Sequence, residues 1–345
     1  MAFTKKYQIT IDYTKVAGSA NLSDFPVLIS GTYTYLKTVA NGGYVQNGNG
    51  YDIVFYSDSA LTTMLKFERE IHNGITGAVV FWVKIPTLSY TANTVIYMGV
   101  GDSGISTDQA DPTNVWDSNF KAVFHLGNGS TLSALDATSN NNDGTISGPT
   151  ASTGKIDGAA NFVAANFADK ITGTGINIAS TAFTVSMWIK SVTSSTGQPM
   201  SIGSNGNTRE AIHFRKIDDT TFRFGMYADD LDGTLSNIGG TWSYLAFRLN
   251  SSYRQSIWQN SGEVANRTAG GYFVGDTVWA IGQWMQFGGI EYWDGDIDEI
   301  RVSTTDRSDG WAGTEYNSQN DPATFYSISD ITPATGTTGF ILFFP

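Results

Sequence analysis

The chain has 345 residues, of which 41% are hydrophobic and 15% are charged, and its formal net charge is −12. A hydrophobic fraction of this size can build a core, which excludes a disordered acidic chain, and the absence of cysteine excludes a disulfide-stapled scaffold or a cysteine-based zinc finger. An acidic chain without a basic block is a poor partner for nucleic acid or for an anionic membrane.

The first part of the chain, residues 1–117, is a series of short strand-like segments. Gly, Asn, Asp and Ser separate these segments, as is typical of β-sandwiches and barrels. The last strand-like segment is followed, near residues 101–118, by a stretch with linker composition. We therefore predict an N-terminal β-sandwich domain over residues 1–117. The segments that favour strands are 25–29, 51–56, 77–85 and 94–98.

The second part shows the same alternation between apolar and polar residues. Val185, Met187 and Ile189 share one face of a strand because side chains alternate with a period of two. We predict a second sandwich, of jelly-roll type, over residues 118–328, followed by a flexible tail with an apolar end at 329–345. The predicted fold class is all-β, with two sandwiches in tandem.

Four segments of the second part occur in an order that a known family shares. Together they resemble the laminin-G-like, concanavalin A-like lectin/glucanase superfamily over residues 120–326. The resemblance implies a two-sheet sandwich that binds a glycan or a host surface. The segments are His125-Leu126 with the Asp- and Asn-rich loop 136–145, the Gly-rich run 154–162, the strand 183–190 and the terminal strand 293–302.

The first part carries a second resemblance. Segments 24–29, 49–55, 82–88 and 115–117 are similar to a bacterial and phage domain of unassigned function that often precedes laminin-G-like domains. The resemblance implies a setting on a cell or virion surface.

Aspartate and asparagine side chains gather in two places and suggest calcium. Calcium takes six to eight oxygen ligands, and the family resemblance implies an ion between the first strand's loop and the last strand. We expect Asp136, Asn140 and Asp298 as ligands, with Asp143 and Asp296 as further candidates. The alternative is that these residues fill turns, where Asn and Asp are common.

Asp294, Asp296 and Asp298 are two residues apart, which places three carboxylates on one face of a strand. Laminarinase-like glycosidases of the same superfamily carry acidic residues at similar spacing. This chain has Asp at the outer positions, where the family pattern has Glu, and Gly295 interrupts the run. We interpret the protein as non-enzymatic and keep a glycan hydrolase as an alternative.

Other charged residues suggest no catalytic group. Glu68 and Glu70 flank Arg69 on a predicted strand, and we expect them on a solvated or salt-bridged face. The three histidines are far apart in sequence and lack metal-binding spacing. We expect His125 on a sheet face rather than in a ligand set.

The segment 279–293 is dense in aromatic residues. Because sugar rings stack on aromatic faces, this segment is a candidate glycan platform. Trp284 and Phe287 fall between predicted strands and are the expected glycan contacts, whereas Tyr292 and Trp293 occupy positions where the family has core aromatics.

The C-terminal end is apolar and follows a Gly- and Thr-rich stretch. A free end of this kind would be an aggregation hazard. We therefore expect it to dock in another virion protein or in a symmetry mate of a homo-oligomer. The docking residues are Phe340, Ile341, Leu342, Phe343 and Phe344.

The N-terminus lacks a basic segment followed by an apolar one, and no apolar run is long enough to span a membrane. We therefore expect synthesis in a host cytoplasm and a place on a virion surface. The predicted function is a bacteriophage surface protein (capsid decoration, head fibre or tail-associated adhesion) that displays a lectin-like domain. The alternatives are a secreted, extracellular adhesin without its signal peptide and a hydrolase of laminarinase-like fold.

Overall fold

A computed structural model describes residues 2–204, 206–284 and 291–333. Most of their regular structure is antiparallel strand, arranged as two β-sandwiches in tandem. The predicted all-β class is therefore confirmed. Short 3₁₀ turns lie at Tyr13–Lys15, Thr34–Leu36, Val39–Asn41, Pro112–Asn114 and Ala164–Asn166.

Six strands open the N-terminal sandwich, and the strand-like segments predicted in this part of the sequence fall within or overlap them. They are β1 (Lys5–Ile11), β2 (Leu22–Thr32), β3 (Ile53–Tyr56), β4 (Phe67–His72), β5 (Ala78–Leu88) and β6 (Thr94–Val100).

The strands of the second sandwich follow. They are β7 (Phe120–Phe124), β8 (Thr145–Ser147), β9 (Thr150–Thr153), β10 (Gly158–Phe162), β11 (Lys170–Gly173), β12 (Phe183–Ser191), β13 (Gly197–Ile202), β14 (Ile212–Lys216), β15 (Thr221–Gly225), β16 (Asp230–Thr234), β17 (Ser243–Leu249), β18 (Arg254–Gln259), β19 (Gly262–Thr268), β20 (Trp279–Ile281) and β21 (Gly295–Ser303).

The chain then returns to the N-terminal sandwich through α1 (Asp309–Asn320), α2 (Pro322–Phe325) and β22 (Tyr326–Asp330). β22 pairs antiparallel with β1 along its whole length. The predicted boundary at residue 328 therefore needs correction, because residues 326–330 complete the first sandwich and 329–330 are not tail. The pairing covers an edge of β1 that would otherwise be open to other chains.

The N-terminal sandwich packs a four-stranded sheet, in the order β22-β1-β6-β3, against a three-stranded sheet in the order β2-β5-β4. Ile9 from the first sheet and Phe25 and Phe81 from the second are buried between them. The apolar face of each strand is thereby removed from water, which is the main stabilising contribution to folding.

The second sandwich packs two larger sheets. One has the order β19-β18-β17-β12-β21-β10-β9, with β7 also paired to β21. The other is seven-stranded, in the order β16-β15-β14-β13-β20-β11-β8, and is called the seven-stranded sheet below. Met187, Phe214 and Phe247 lie in the core between the sheets.

A β-bulge in β21 changes which side chains leave the core. Ile297 and Ile300 both lie in the core, three positions apart, although strict alternation would pair Ile297 with Glu299. The ladder to β12 shifts register here, and Glu299 has φ of 51°. The extra residue therefore places both Asp298 and Glu299 on the outer side of the sheet.

A second bulge lies in β4, where the register to β5 shifts between Arg69 and Ile71. The extra residue is Glu70, which faces the second sandwich together with Glu68. Both bulges thus direct carboxylates toward the boundary between the sandwiches.

Helix α1 lies at that boundary and was not predicted. Its first turn is capped by Ser308, whose hydroxyl accepts a hydrogen bond from the Trp311 amide. Much of its buried face is polar: Thr314 accepts from Ala17 N and Ser318 accepts from Leu28 N. In the described part of the chain, neither α1 nor any other helix is long and apolar enough to cross a membrane.

Candidate functional site

The outer face of the seven-stranded sheet is rich in polar side chains. Phe214 on β14 and Phe224 on β15 point into the core. By alternation, His213, Arg215 and Arg223 point outward, with Arg215 directly opposite Arg223. Two positively charged side chains in this position repel each other unless carboxylates lie close by.

These carboxylates come from β16 and from the segment before β21. Arg223 makes a bidentate pair with Asp232, at 2.7 Å and 2.9 Å, and lies 3.3 Å from Asp230. Arg215 lies 2.7 Å from Glu291. The hydrogen bond from Arg223 holds the pKa of Asp232 below its usual value, whereas burial raises the pKa of Asp230.

His213 lies at the centre of this face and is buried. Its ring occupies space above Gly225, where an added Cβ would come within 2.0 Å of Nε2, so only glycine fits there. Burial, with the neighbouring Arg223 and Arg215, lowers the pKa of His213 to about 4. The imidazole is therefore neutral at pH 7.

Several buried polar atoms of this face have no hydrogen-bond partner among the described residues. They include both donors and acceptors, and atoms buried in this way are bonded in most proteins. Such a mixture suits water or a hydroxyl-rich ligand, since a hydroxyl both donates and accepts. The atoms are Gln198 Oε1, His213 Nδ1, Arg215 Nε and Asp230 Oδ1.

Trp284, an expected glycan contact, lies at this face but is only 8% exposed. Its ring lies 5.0 Å from His213 and 6.2 Å from Tyr227. Trp284 therefore packs against the side chains of the face and offers little exposed ring surface to a sugar. Phe287, the other expected contact, lies outside the described residues. Trp293 is buried, as expected, whereas Tyr292, also expected in the core, is only partly buried.

An exposed aromatic that sequence reasoning missed lies at the end of the same face. Phe167 is 71% exposed and packs edge-on against Tyr292, with ring centroids 5.5 Å apart. Tyr292 follows Glu291, the partner of Arg215. The only sequence signal is an aromatic residue in a polar loop between two strands.

The predicted calcium loop is held together by its own backbone. The carboxylate of Asp136 accepts hydrogen bonds from the amides of Val123, Thr138 and Asn142 and from the Thr138 hydroxyl. Asp143 accepts from the Asp136 amide. These hydrogen-bond donors stabilise the Asp136 carboxylate in the way that a bound cation would otherwise do.

The other predicted ligands lie elsewhere. Asn140 donates to the Phe120 carbonyl, Asp296 accepts from Ser152 and Asn161, and Asp298 accepts from the Ile156 amide. In the described part of the chain, the group of three acidic or histidine side chains close enough to share an ion contains none of the four predicted aspartates. The arrangement does not fit one calcium ion shared by loop and last strand, and calcium at either place alone stays a prediction.

The group that does come together lies between the sandwiches, and we call it the junction: Glu68, Glu70, His125 and Glu299. His125 Nδ1 lies 2.7 Å from Glu299 Oε1 and 3.5 Å from Glu70 Oε2, and its Nε2 lies 3.4 Å from Glu68 Oε2. Of the expected solvated or salt-bridged face for Glu68 and Glu70, the structure shows the salt-bridged alternative, because both pair with His125 and are largely removed from solvent. The second sandwich covers both side chains, and the bulge in β4 turns Glu70 toward it.

Fixed donors also hold these carboxylates: the two indoles bind the oxygens of Glu70 and Glu68 that face His125, whereas Arg301 binds the other oxygen of Glu299. Trp82 Nε1 donates to Glu70 at 2.9 Å and Trp116 Nε1 donates to Glu68 at 3.1 Å. Arg301 donates to Glu299 at 2.8 Å, and its guanidinium lies over the Trp82 ring. The predicted linker therefore contributes a buried indole, that of Trp116, to the junction.

The charges of the junction shift one another. Burial raises the pKa of Glu70 to about 8, although His125 opposes the shift. Burial alone would lower the pKa of His125, but Glu299, Glu70 and Glu68 together raise it well above its usual value. His125 and Arg301 outweigh burial and hold the pKa of Glu299 below its usual value.

A cavity of about 310 Å³ gives the junction access to solvent. Glu68, Glu70 and His125 form its polar end, and Leu135 is part of its apolar wall. The cavity is large enough for several waters or a small ligand.

Residues 165–311 match the family model described as the concanavalin A-like lectin/glucanases superfamily. This match supports the resemblance of the second sandwich. No curated protein matches the chain.

Three of the solved structures to which this chain is similar differ in the extent of the similarity. The binding domain of Paraclostridial Mosquitocidal Protein 1 has 12% identity to this chain and a TM-score of 0.47. The match covers 58% of this chain and 52% of that domain, so this chain spans about half the length of that domain. Domain 4 of AbnA, a GH43 arabinanase from Geobacillus stearothermophilus in complex with arabinotriose, has 19% identity and a TM-score of 0.44, covering 56% and 97%. The Ruminococcus gnavus IT-sialidase CBM40 bound to α2,3-sialyllactose has 15% identity and a TM-score of 0.36, covering 40% and 84%.

Proposed function

We propose that the protein binds a glycan, without cleaving it, on the outer face of the seven-stranded sheet. The observation that carries the proposal is the set of buried donors and acceptors on this face, His213 Nδ1 among them, that lack partners among the described residues. The superfamily match of residues 165–311 supports the same class of function.

The chemistry of the face suits a sugar. Arg223 and Asp232 are fixed by their bidentate pair and present a rigid edge to neighbouring hydroxyls. Phe167 and Tyr292 provide ring surface at one end of the face, on which a sugar ring can stack. A shallow site of this kind binds weakly, and display of many copies would raise the overall affinity.

The test is a glycan array with the full chain, followed by titration of the best glycan into variants. Asp230→Asn keeps the size of the side chain and removes a charge beside an unpartnered oxygen. We expect it to weaken binding about tenfold or more, as loss of a charged hydrogen bond does.

Glu263→Gln is the matched control, since Glu263 lies on β19 of the other sheet and pairs with Arg254. It should bind as the wild type does. An array without a glycan ligand, or equal affinity in wild type and Asp230→Asn, would contradict the proposal.

We propose no hydrolysis, because the acidic residues of β21 do not form a reacting pair. Asp296 is held by Ser152 and Asn161, whereas Asp298 is buried against the Ile156 amide. Release of reducing sugar from the bound glycan would overturn this part.

We also propose a virion surface as the setting, supported by the resemblance of the first part of the sequence to a bacterial and phage domain. In this proposal, the apolar end at Phe340–Phe344, which lies outside the described residues, docks in a symmetry mate or another virion protein. Mass spectrometry of purified particles tests the setting. Deletion of residues 334–345, with assembly measured by light scattering, tests the docking, and unchanged assembly would refute it.

A further inference from the structure

We propose that the junction is a binding site for a divalent transition-metal ion, with Glu70, His125 and Glu299 as its ligands. This site is separate from the glycan face and from the predicted calcium loop. Its ligands come from both sandwiches. Glu70 lies on β4 of the first sandwich, whereas in the second sandwich His125 directly follows β7 and Glu299 lies on β21.

The distances suit a shared ion. One ligand atom from each of the three residues lies within 4.8 Å of the other two. Zinc–ligand bonds of about 2.0–2.2 Å place tetrahedral ligands about 3.4 Å apart. His125 Nδ1 and Glu70 Oε2 are already 3.5 Å apart, and the 2.7 Å pair with Glu299 needs to open by about 0.7 Å, which a carboxylate rotation provides.

The surroundings resemble the outer partners of known metal sites. A metal-binding histidine usually directs its other ring nitrogen to a carboxylate or carbonyl, and the bound carboxylates are themselves hydrogen-bonded. Here Trp82 donates to Glu70 and Arg301 donates to Glu299, and Glu68 Oε2 lies 3.4 Å from His125 Nε2, within ion-pair distance but without a hydrogen bond.

A second observation points to a ligand. The Glu70 side chain is only 10% exposed, yet its Oε1 has no hydrogen-bond partner in the described structure. The cavity of about 310 Å³ reaches Glu70 and His125, so an ion can enter and keep water in its open position.

The charge of the junction favours a cation. Glu68, Glu70 and Glu299 bring three acidic groups to one imidazole, and Glu315 lies 3.0 Å from Arg301, the guanidinium that also pairs with Glu299. A divalent ion compensates more of this charge than the Nδ1 proton that it would replace. The nitrogen ligand favours zinc or another first-row ion that imidazole suits over calcium and magnesium, whereas the two carboxyl ligands would also suit manganese.

Calorimetric titration of the EDTA-treated full chain with ZnCl₂ tests the site, with MnCl₂ as a second probe. We expect one Zn²⁺ per chain. Glu70→Gln, which keeps an acceptor for Trp82, should weaken zinc binding at least tenfold, and Glu263→Gln should leave it unchanged. Absence of zinc and manganese binding, or equal zinc affinity in Glu70→Gln and wild type, would overturn the proposal.

A second measurement covers the case in which the variant does not fold. Crystals of the wild type soaked in zinc should give an anomalous scattering peak about 2.0–2.1 Å from His125 Nδ1. A peak only elsewhere, or no peak, would overturn the site and leave His125 as a protonated partner of the three glutamates. Neither result bears on glycan binding, which is measured separately.

Discussion

The junction and the outer face of the seven-stranded sheet use the same kinds of residue in different ways. Each combines a histidine, arginine and carboxylates. At the junction, the indoles of Trp82 and Trp116 and the guanidinium of Arg301 each donate to a glutamate. On the outer face, arginines pair with carboxylates instead, and no indole donor is involved in the pairs of Arg223 with Asp232 and of Arg215 with Glu291. Both places keep buried atoms without partners among the described residues, Glu70 Oε1 at the junction and His213 Nδ1 on the outer face.

The same kinds of residue therefore suit different ligands according to how firmly they are held and how open the surface is. Indole donors at the junction are held by ring packing, so they fix the carboxylates in one geometry. The arginines of the outer face are partly exposed and lie on one open sheet surface. The first arrangement suits a compact ion, and the second suits an extended ligand.

The largest effect should follow from removing Arg301, whose side chain is 2% exposed and pairs with Glu299 and Glu315. Arg301→Met leaves two buried carboxylates without their cation. We expect a loss of about 3–5 kcal/mol in the free energy of unfolding, measured by urea denaturation.

Arg254→Met is the control for this variant. Arg254 also pairs with a glutamate, Glu263, but its side chain is 40% exposed. Its loss should cost about 1 kcal/mol or less, as for surface pairs. Equal effects of the two variants would mean that the junction contributes no more than an exposed ion pair does.

Period-two alternation predicted the strands well, because a half-buried strand must alternate. It gave no sign of the bulges at Glu70 and Glu299, since a bulge depends on the partner strand. Those two residues are the ones that the bulges bring to His125. The sequence pattern therefore gives no sign that Glu68, Glu70 and His125 meet at the junction.

The C-terminal elements were missed for a related reason. Helix α1 buries Thr314, Glu315 and Ser318, so its sequence lacks the apolar stripe that predicts a helix. β22 is assigned to the first sandwich only by its pairing with β1, more than 300 residues away in the chain. Long-range partners of this kind leave no local signal.

A smaller, pH-dependent effect should distinguish the outer face. The folded-state pKa of His213, about 4, lies below the usual 6.5, so the unfolded state binds more protons between these values. Stability therefore falls as the pH drops from about 6.5 to 4, by at most about 3 kcal/mol from this group.

His213→Gln removes the titrating group, and the comparison is made by urea denaturation from pH 4 to 8. Arg215, Arg223, Asp230 and Asp232, the charged groups facing it, remain in place. The difference between wild type and variant should change through the window and stay constant above pH 7. A difference that is constant throughout would mean that the pKa of His213 is the same in the folded and unfolded states, which would contradict the lowered folded-state value.

The smallest effect concerns the helix that closes the junction from the C-terminal side. Ser308→Ala removes the cap that accepts from the Trp311 amide, and should cost about 1 kcal/mol in thermal or urea unfolding. Ser308→Asp should restore most of it, because aspartate is an equally good cap and its charge favours a helix N-terminus. Zinc affinity, measured in the same variants, shows whether the cap also affects the junction. An unchanged zinc affinity in Ser308→Ala would mean that α1 positions Glu315 through packing and not through its first turn. A loss of zinc affinity in both Ser308→Ala and Ser308→Asp would mean that the metal ligands depend on the placement of the whole helix.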